Sequence, residues 1–350
     1  MKFVHEIIVM SCRFLLLLFL SPLLVFSQNA MNSKMLSVGD SVHSYHFFVS
    51  AHFHGSSTNT TGLPAKTVLS NIEAINRDQP LFLAHLGDFF LDVRNDIPAY
   101  TENLLDRFEF PVYNAVGNHD LSGNVYQENY GATWYAFNVG IDRFIFLDTE
   151  IADGSIRDEQ QSFLLRALDS LPAKARVFIF AHRLIWAEDH PDLKNLFADN
   201  TRSANPGNFR VAILPELKKI AEHHPVVFAG GSMGNVPSSF FFHKEKDVDI
   251  TYIATAIRDT PRDALLRVDV SDSGIRYTAF HLPLSPEAYD LDYYRPEQKT
   301  KSPFNWRLVP LYTTQAVSHR YFWYGVLFMV VPIALVVGMM MRRKKRKNGK

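Results

Sequence analysis

The stretch PLFLAHLGDFF, residues 80–90, decides how the chain folds. It begins with an apolar run that suits a buried strand, and Gly87 and Asp88 follow at the end of that run. In open α/β sheets, ligands bind beyond the carboxyl ends of the strands. The pattern therefore predicts that Asp88 lies at the functional edge of a parallel sheet.

Apolar runs of strand length recur along the chain. They lie at 45–51, 80–86, 110–116, 142–148, 175–181, 225–230 and 250–256. Helical patterns, with apolar residues three and four positions apart, separate several of them, at 65–77, 100–108, 159–171 and 212–224. Residues 265–282 indicate a hairpin that turns at 272–274. This alternation predicts a layered α/β domain over residues 28–282, with functional residues on the loops after strands.

Composition narrows the class of protein. Hydrophobic residues make up 47% of the 350 residues and charged residues 21%, which is typical of a globular chain. Acidic residues outnumber basic ones between residues 28 and 341, which argues against nucleic acid as a partner. Cys12 is the only cysteine, so neither a disulfide within the chain nor a thiolate zinc site is expected.

The N-terminal residues 1–27 resemble a secretory signal peptide. Lys2 and Arg13 precede an apolar run from Phe14 to Phe26, and cleavage would leave Gln28 as the new N-terminus. An uncleaved anchor is the alternative, but the apolar run is short for a full membrane span.

The C-terminal residues predict a membrane tether. Residues 321–341 carry no charge and are long enough to cross a bilayer, and the tail 342–350 has seven basic residues and no acidic one. A buried soluble helix, the alternative, would not end in such a tail. We expect a linker at 283–320, one transmembrane helix, a cytoplasmic C-terminus and a domain in the periplasm, the extracellular space or an organelle lumen.

Polar side chains follow successive predicted strands. They are His52 and His54, then Asp88, then Asn118, His119 and Asp120, and finally His182. Imidazole, carboxylate and amide groups bind hard to borderline divalent metals, and a carboxylate can bridge two such ions. Taken singly, each residue has a structural reading: a helix N-cap for Asp88, a turn residue for Asn118, a core histidine for His182. Because these residues occur together at the ends of successive predicted strands, a shared metal site is favoured over these separate structural roles.

The order of these motifs and the residues in them resemble those of the calcineurin-like metallophosphoesterases over residues 44–282. The most specific match is GNHD (117–120), about 30 residues after Gly-Asp. Further matches are YGATWYAFNVGIDRFIFLDTE (130–150), EQQSFLLRAL (159–168) and VFIFAHR (177–183). The resemblance implies a β-sandwich flanked by helices, one or two ions of manganese, iron or zinc, and hydrolysis of a phosphate ester by metal-bound hydroxide.

The same resemblance assigns roles to the strand-end residues. It makes Asp88 the bridging ligand, places Asn118 and His182 at one metal position, and places His54 at the other. His119 becomes the acid for the leaving group, and either Asp120 or Asp92 orients it.

Two motifs depart from the family pattern. The first normally has Asp two residues before the histidine, where this chain has His52, and neutral imidazole can still bind a metal. The last is normally Gly-His-x-His, and here Gly231 and Met233 replace its two histidines.

Two functions stay open after these departures. In one, hydrolysis survives with one metal, or with two and substitute ligands from Asn235, His243 or water. In the other, the domain is a catalytically inactive, membrane-tethered binding module. For an active enzyme, closeness to the membrane favours a lipid-linked or cell-envelope phosphate ester as substrate.

Overall fold

The computed structural model describes a large part of the chain. The described residues are 30–37, 42, 44–151, 153–188, 190–193, 207–233, 239–284, 304–318, 321–330, 332 and 339. The predicted signal peptide 1–27 and basic tail 342–350 lie outside these residues, as does much of the predicted linker and of the predicted membrane span.

The first β-sheet has five strands in the order β11-β10-β1-β2-β3. They are β1 (Tyr45–Ser50), β2 (Leu83–His85), β3 (Val112–Asn114), β10 (Ala264–Ser271) and β11 (Gly274–His281). β1, β2 and β3 are parallel, so their carboxyl ends meet at one edge. β10 pairs antiparallel with β1 and with β11, which confirms the predicted hairpin.

The second sheet has six strands in the order β4-β5-β6-β7-β9-β8. They are β4 (Tyr135–Val139), β5 (Asp142–Phe146), β6 (Val177–Ala181), β7 (Val226–Gly230), β8 (Ser239–Lys244) and β9 (Ile250–Ala256). The four central strands are parallel and correspond to predicted strands. The edge strands β4 and β8 were not predicted as strands, and each pairs antiparallel with its neighbour.

Aromatic rings pack between the two sheets. Phe47 of β1 meets Phe144 and Phe178 of the second sheet at centroid distances of 5.4 Å each, and Phe82 meets Phe144 at 5.2 Å. All four side chains are fully buried. Edge-to-face pairs of this kind add about 0.5–1.5 kcal/mol each beyond their buried area. The two facing sheets and flanking helices therefore form the predicted α/β sandwich.

Helices cover the outer faces. They are α1 (Lys66–Leu69), α2 (Ile72–Arg77), α3 (Val93–Tyr100), α4 (Val125–Tyr130), α5 (Asp158–Leu168) and α6 (Leu214–Ala221). α1 and α2 pack on the first sheet through Val68 and Ile72, while α5 and α6 belong to the core of the second through Leu164 and Leu217.

Three predicted helices differ from the structure. The one at 65–77 is divided, because the side chain of Asn71 donates to the carbonyl of Thr67 and competes with the helical backbone. The one at 100–108 begins earlier, where Asp92 caps α3, and continues as a π-turn at Thr101–Leu105. A π-turn at Phe209–Ile213 likewise opens the predicted helix 212–224.

Part of the predicted linker packs against the domain. A 3₁₀ turn (Trp306–Leu308) leads into helix α7 (Val309–Ser318), and Asn305 donates to the carbonyls of Ser57 and Asn59 at 3.2 and 3.0 Å. Residues 321–330 are helical and mostly exposed. Among the described residues, no helix combines the length and apolarity needed to span a bilayer.

Candidate metal centre

The first sheet brings five of the predicted site residues to one edge. His52 and His54 follow β1, Asp88 follows β2, and Asn118 and His119 follow β3. All five are at least 95% buried. In the sequence, these residues share only their positions after successive predicted strands. They become neighbours in space because β1, β2 and β3 are parallel.

Histidine nitrogens surround one oxygen of Asp88. Oδ2 lies 3.7 Å from Nε2 of His52, 3.9 Å from Nε2 of His54 and 3.4 Å from Nε2 of His182. His182 comes from β6 of the second sheet, and its Nδ1 lies 2.8 Å from the carbonyl of Leu86, which joins the sheets at the site. Metal–ligand bonds of about 2.0–2.1 Å in a tetrahedral site put ligand atoms about 3.3 Å apart. The spacing therefore suits a cation between these groups.

Several polar atoms that face the site have no hydrogen-bond partner among the residues that the structure describes. Nε2 of His52, His54 and His182 and both side-chain atoms of Asn118 are buried without a hydrogen bond. Buried polar groups in proteins are normally hydrogen-bonded, so this concentration requires a reason. His52, His54 and Asp88 also place one ligand atom each within 4.8 Å of the others. A bound cation would satisfy Nε2 of His54 and His182 and the oxygen of Asn118 together.

The backbone is strained where it presents two of these side chains. His52 and Asp88 have φ of +61° and +56°, the left-handed region that costs non-glycine residues about 1–2 kcal/mol. The amide of His52 donates to the carbonyl of Gly87 at 3.1 Å and holds the two loops together. A Cβ at Gly117 would collide with the Asp88 carboxylate, so glycine is required there.

Electrostatics keep Asp88 ionised. Burial alone would raise the pKa of Asp88, but His182 and His119, with smaller effects from His54 and His52, lower it well below its ordinary value. Burial, and then Arg258, lowers the pKa of His52 well below 6.5 and keeps that ring neutral. An ionised carboxylate is the form of Asp88 that can bind a divalent cation.

His119 is fixed by backbone atoms on two sides. Its amide donates to Oδ1 of Asp88 at 3.0 Å, and its ring Nδ1 lies 2.7 Å from the carbonyl of Leu91. A carbonyl can only accept, so Nδ1 carries the proton there, and Nε2 is the nitrogen that exchanges a proton. The ring lies 5.3 Å from that of His54.

The two candidates for orienting His119 have other contacts. Asp120 accepts from the amides of Phe90 and Gly117 at 3.0 and 2.9 Å and from the side chain of Asn114 at 3.2 Å. Asp92 accepts from the amide of Arg94 at the start of α3. These contacts give Asp120 a part in holding the loop, and the carbonyl of Leu91 is in contact with Nδ1 of His119. The orienting role of Asp120 or Asp92 stays a prediction.

The chain resembles the calcineurin-like metallophosphoesterases. No protein-family model matches its sequence, and no curated protein matches it. Its structure is similar to a dimetal phosphatase from Danio rerio, with a TM-score of 0.48 and 16% identity over 68% of this chain and 99% of that one. It is also similar to the purple acid phosphatase PPD1 of yellow lupin, with a TM-score of 0.46 and 12% identity over 72% of this chain and 53% of that one.

A third similar structure is the phosphopantetheinyl hydrolase of Mycobacterium tuberculosis. Its TM-score is 0.35, with 11% identity over 62% of this chain and 92% of that one. The chain spans about half the length of the lupin enzyme. Because these TM-scores lie below 0.5, we take neither activity nor substrate from the three proteins.

Gly231 and Met233, where the resemblance would place two histidine ligands, have no room to supply one. A Cβ at Gly231 would lie 2.5 Å from Cβ of Ala51 and 2.8 Å from Cβ of Leu86, so no side chain fits. Met233 is buried in the main hydrophobic core. Of the proposed substitutes, Asn235 lies outside the described residues, and the ring of His243 meets that of His190 at 4.9 Å.

Arg258 is a site residue that the sequence analysis missed. Its Nη1 lies 3.5 Å from Nδ1 of His52, and its amide donates to Asp263 at 3.0 Å. Guanidinium groups only donate, so this contact favours a proton on Nε2 of His52 and opposes metal binding by that nitrogen. Arg258 follows β9, and applying the strand-end rule to that strand would have found it.

Proposed function

We propose that this protein is a metal-dependent phosphoesterase that hydrolyses a phosphate ester outside the cytoplasm. The observation that carries the proposal is the buried group of imidazole nitrogens around Oδ2 of Asp88. Within the described part of the chain, their Nε2 atoms have no hydrogen-bond partner. Imidazole and carboxylate together suit manganese, iron or zinc. His54, Asp88, Asn118 and His182 would hold the ion, with His52 beside it.

The chemistry follows from the arrangement of charge. When bound, a divalent cation acts as a Lewis acid on the phosphoryl oxygen and lowers the pKa of a bound water. Water oxygen bonds to phosphorus as the bond from phosphorus to the ester oxygen breaks. His119 gives its Nε2 proton to the departing alcohol oxygen, and Arg258 attracts the phosphate. The water proton leaves with the phosphate or passes to solvent.

The cellular setting is part of the same proposal. The apolar segments at 1–27 and 321–341 and the basic tail at 342–350 support a single-pass membrane protein with a cytoplasmic C-terminus. The substrate would be a phosphate ester of a lipid or of the cell envelope. The excess of acidic residues between 28 and 341 argues against a nucleic-acid substrate.

A catalytically inactive, membrane-tethered binding module is the second candidate. Two observations favour this candidate: position 231 has no space for a side chain, and Met233 is buried in the core. Neither residue can therefore contribute a ligand. Such a module would keep the sandwich and the buried histidines but would turn over no phosphate ester.

Elemental analysis and activity on the same purified protein distinguish the two. We expect stoichiometric manganese, iron or zinc together with hydrolysis of an aryl phosphate, and chelation should remove both. A folded protein that retains no metal after dialysis and is inert with every added divalent ion would instead favour the binding module.

A further inference from the structure

The segment 304–318 is anchored to the part of the domain that holds His119. Leu308 and Leu311 are buried and form a hydrophobic cluster with Leu91. The carbonyl of Leu91 is the group that contacts Nδ1 of His119. Packing by this segment thus supports the orientation of the proposed acid.

An ion pair holds the start of the segment. Arg307 pairs with Asp96, whose side chain is almost completely buried. Burial raises the pKa of Asp96, and the nearby Arg307 works in the opposite direction. Removing the segment would leave this carboxylate buried without its cation, which is costly in a protein interior.

Two side chains of α7 reach the loop of the site itself. Nε2 of Gln315 donates to the carbonyl of Asn118. The ring of Tyr312 lies 5.9 Å from the ring of His119 at an interplanar angle of 71°. Tyr312 is 39% exposed and His119 only 4%, so the Tyr312 ring is the solvent-accessible member of this pair.

The same segment leads towards the predicted membrane span. Residue 321 comes six positions after Gln315, and six residues reach at most about 20 Å even when fully extended. Large apolar side chains between 321 and 330 are exposed, with Phe328 at 79%. The charge-free run continues to 341, and a basic tail that would attract anionic lipid follows.

We propose that residues 304–318 form one wall of the active site, and that the substrate is a phosphate ester whose alcohol is anchored in a lipid bilayer. Tyr312 contacts the leaving alcohol, because that alcohol departs on the side of His119. Gln315 is a positioning residue that acts through Asn118. The inference rests on the phosphoesterase function proposed above and defines its substrate class.

Matched substrates test this with the full-length protein in phosphatidylcholine vesicles. Phosphatidic acid and phosphatidylglycerol are the lipid probes, and glycerol 3-phosphate and glycerophosphoglycerol are the same esters without acyl chains. We expect kcat/KM to be at least about 100-fold higher for one lipid than for its tail-free counterpart, because burying the alcohol at the membrane adds binding energy.

Three variants locate the contact. Tyr312→Ala should lower kcat/KM for the lipid at least about tenfold, mainly through KM, with Tyr312→Phe restoring most of it. Gln315→Ala should lower kcat at unchanged KM and weaken metal affinity, since its partner is the Asn118 loop. Val317→Ala, on the exposed side of the same helix, should match the wild type.

Each failure has its own signature. Turnover of an aryl phosphate without preference for either lipid, or a Tyr312→Ala variant equal to Val317→Ala, overturns the inference and leaves the phosphoesterase function intact. A metal-loaded wild type that is inert on aryl phosphate and on both lipids overturns both proposals.

Discussion

Oδ1 of Asp88 accepts a hydrogen bond from the backbone amide of His119 at 3.0 Å, and this contact organises the site. It occupies one carboxylate oxygen and leaves Oδ2 facing His52, His54 and His182. The hydrogen bond between Asp88 and residue 119 therefore depends on the position of the backbone amide. It does not depend on which side chain residue 119 carries.

Asp88→Asn tests the centre most directly. Loss of the negative charge should lower metal affinity and kcat/KM by more than about 100-fold, since even groups that only support a ligand are worth about 10–100-fold. Metal titration and aryl phosphate hydrolysis measure the two effects. Asp106→Asn, at an exposed carboxylate, is the matched control and should behave as wild type. Full metal binding by Asp88→Asn would contradict the proposed site.

Gly231→Ala tests whether the last motif has closed. The added methyl would lie within 2.8 Å of both Ala51 and Leu86, so we expect a loss of about 1–3 kcal/mol in the free energy of unfolding. Urea unfolding measures it. Gly207→Ala meets only ordinary contacts beyond 3.4 Å and should change stability little. Equal stability of the two variants would mean that position 231 does have room for a side chain.

Arg258→Gln tests the cation beside the metal centre. Removing the positive charge in contact with His52 should strengthen divalent-metal binding by about tenfold, because a guanidinium close to the site repels a bound cation. The same change should weaken inhibition by inorganic phosphate. Calorimetric metal titration and phosphate inhibition report the two shifts. The exposed Arg262→Gln is the control, and weaker metal binding by Arg258→Gln would contradict the proposed charge effect.

Asp148 predicts a pH dependence of stability. Burial raises the pKa of Asp148 from 3.8 to about 6, so between pH 4 and 6 the folded state binds more protons than the unfolded state. The contribution of Asp148 to stability should therefore be greatest below pH 4 and should fall by about 3 kcal/mol as the pH rises through this window. Asp148→Asn should remove that fall, measured by urea unfolding from pH 4 to 7. The exposed Asp169→Asn should retain it, and a wild type whose stability rises relative to Asp148→Asn over the window would refute the assignment.

The strands of the sheets and the order of the site residues could be predicted from local patterns. Apolar runs such as 175–181 become strands because burial on both faces selects them, and a polar residue directly after such a run marks a strand end. The edge strand at Tyr135–Val139 escaped prediction because its burial is incomplete, and the division of 65–77 depends on one side-chain hydrogen bond from Asn71.

By itself, the sequence determined which ligand types arrive at successive strand ends, because an apolar run and the residue after it are neighbours in the chain. Only the tertiary structure decided that Arg258 stands beside His52, 206 positions away, and that Gln315 reaches Asn118 across 197. It also decided that position 231 has no space for a ligand, because that space is filled by Ala51 and Leu86. Contacts between distant residues follow from how the sheets and the C-terminal helix pack, and no local pattern encodes that packing.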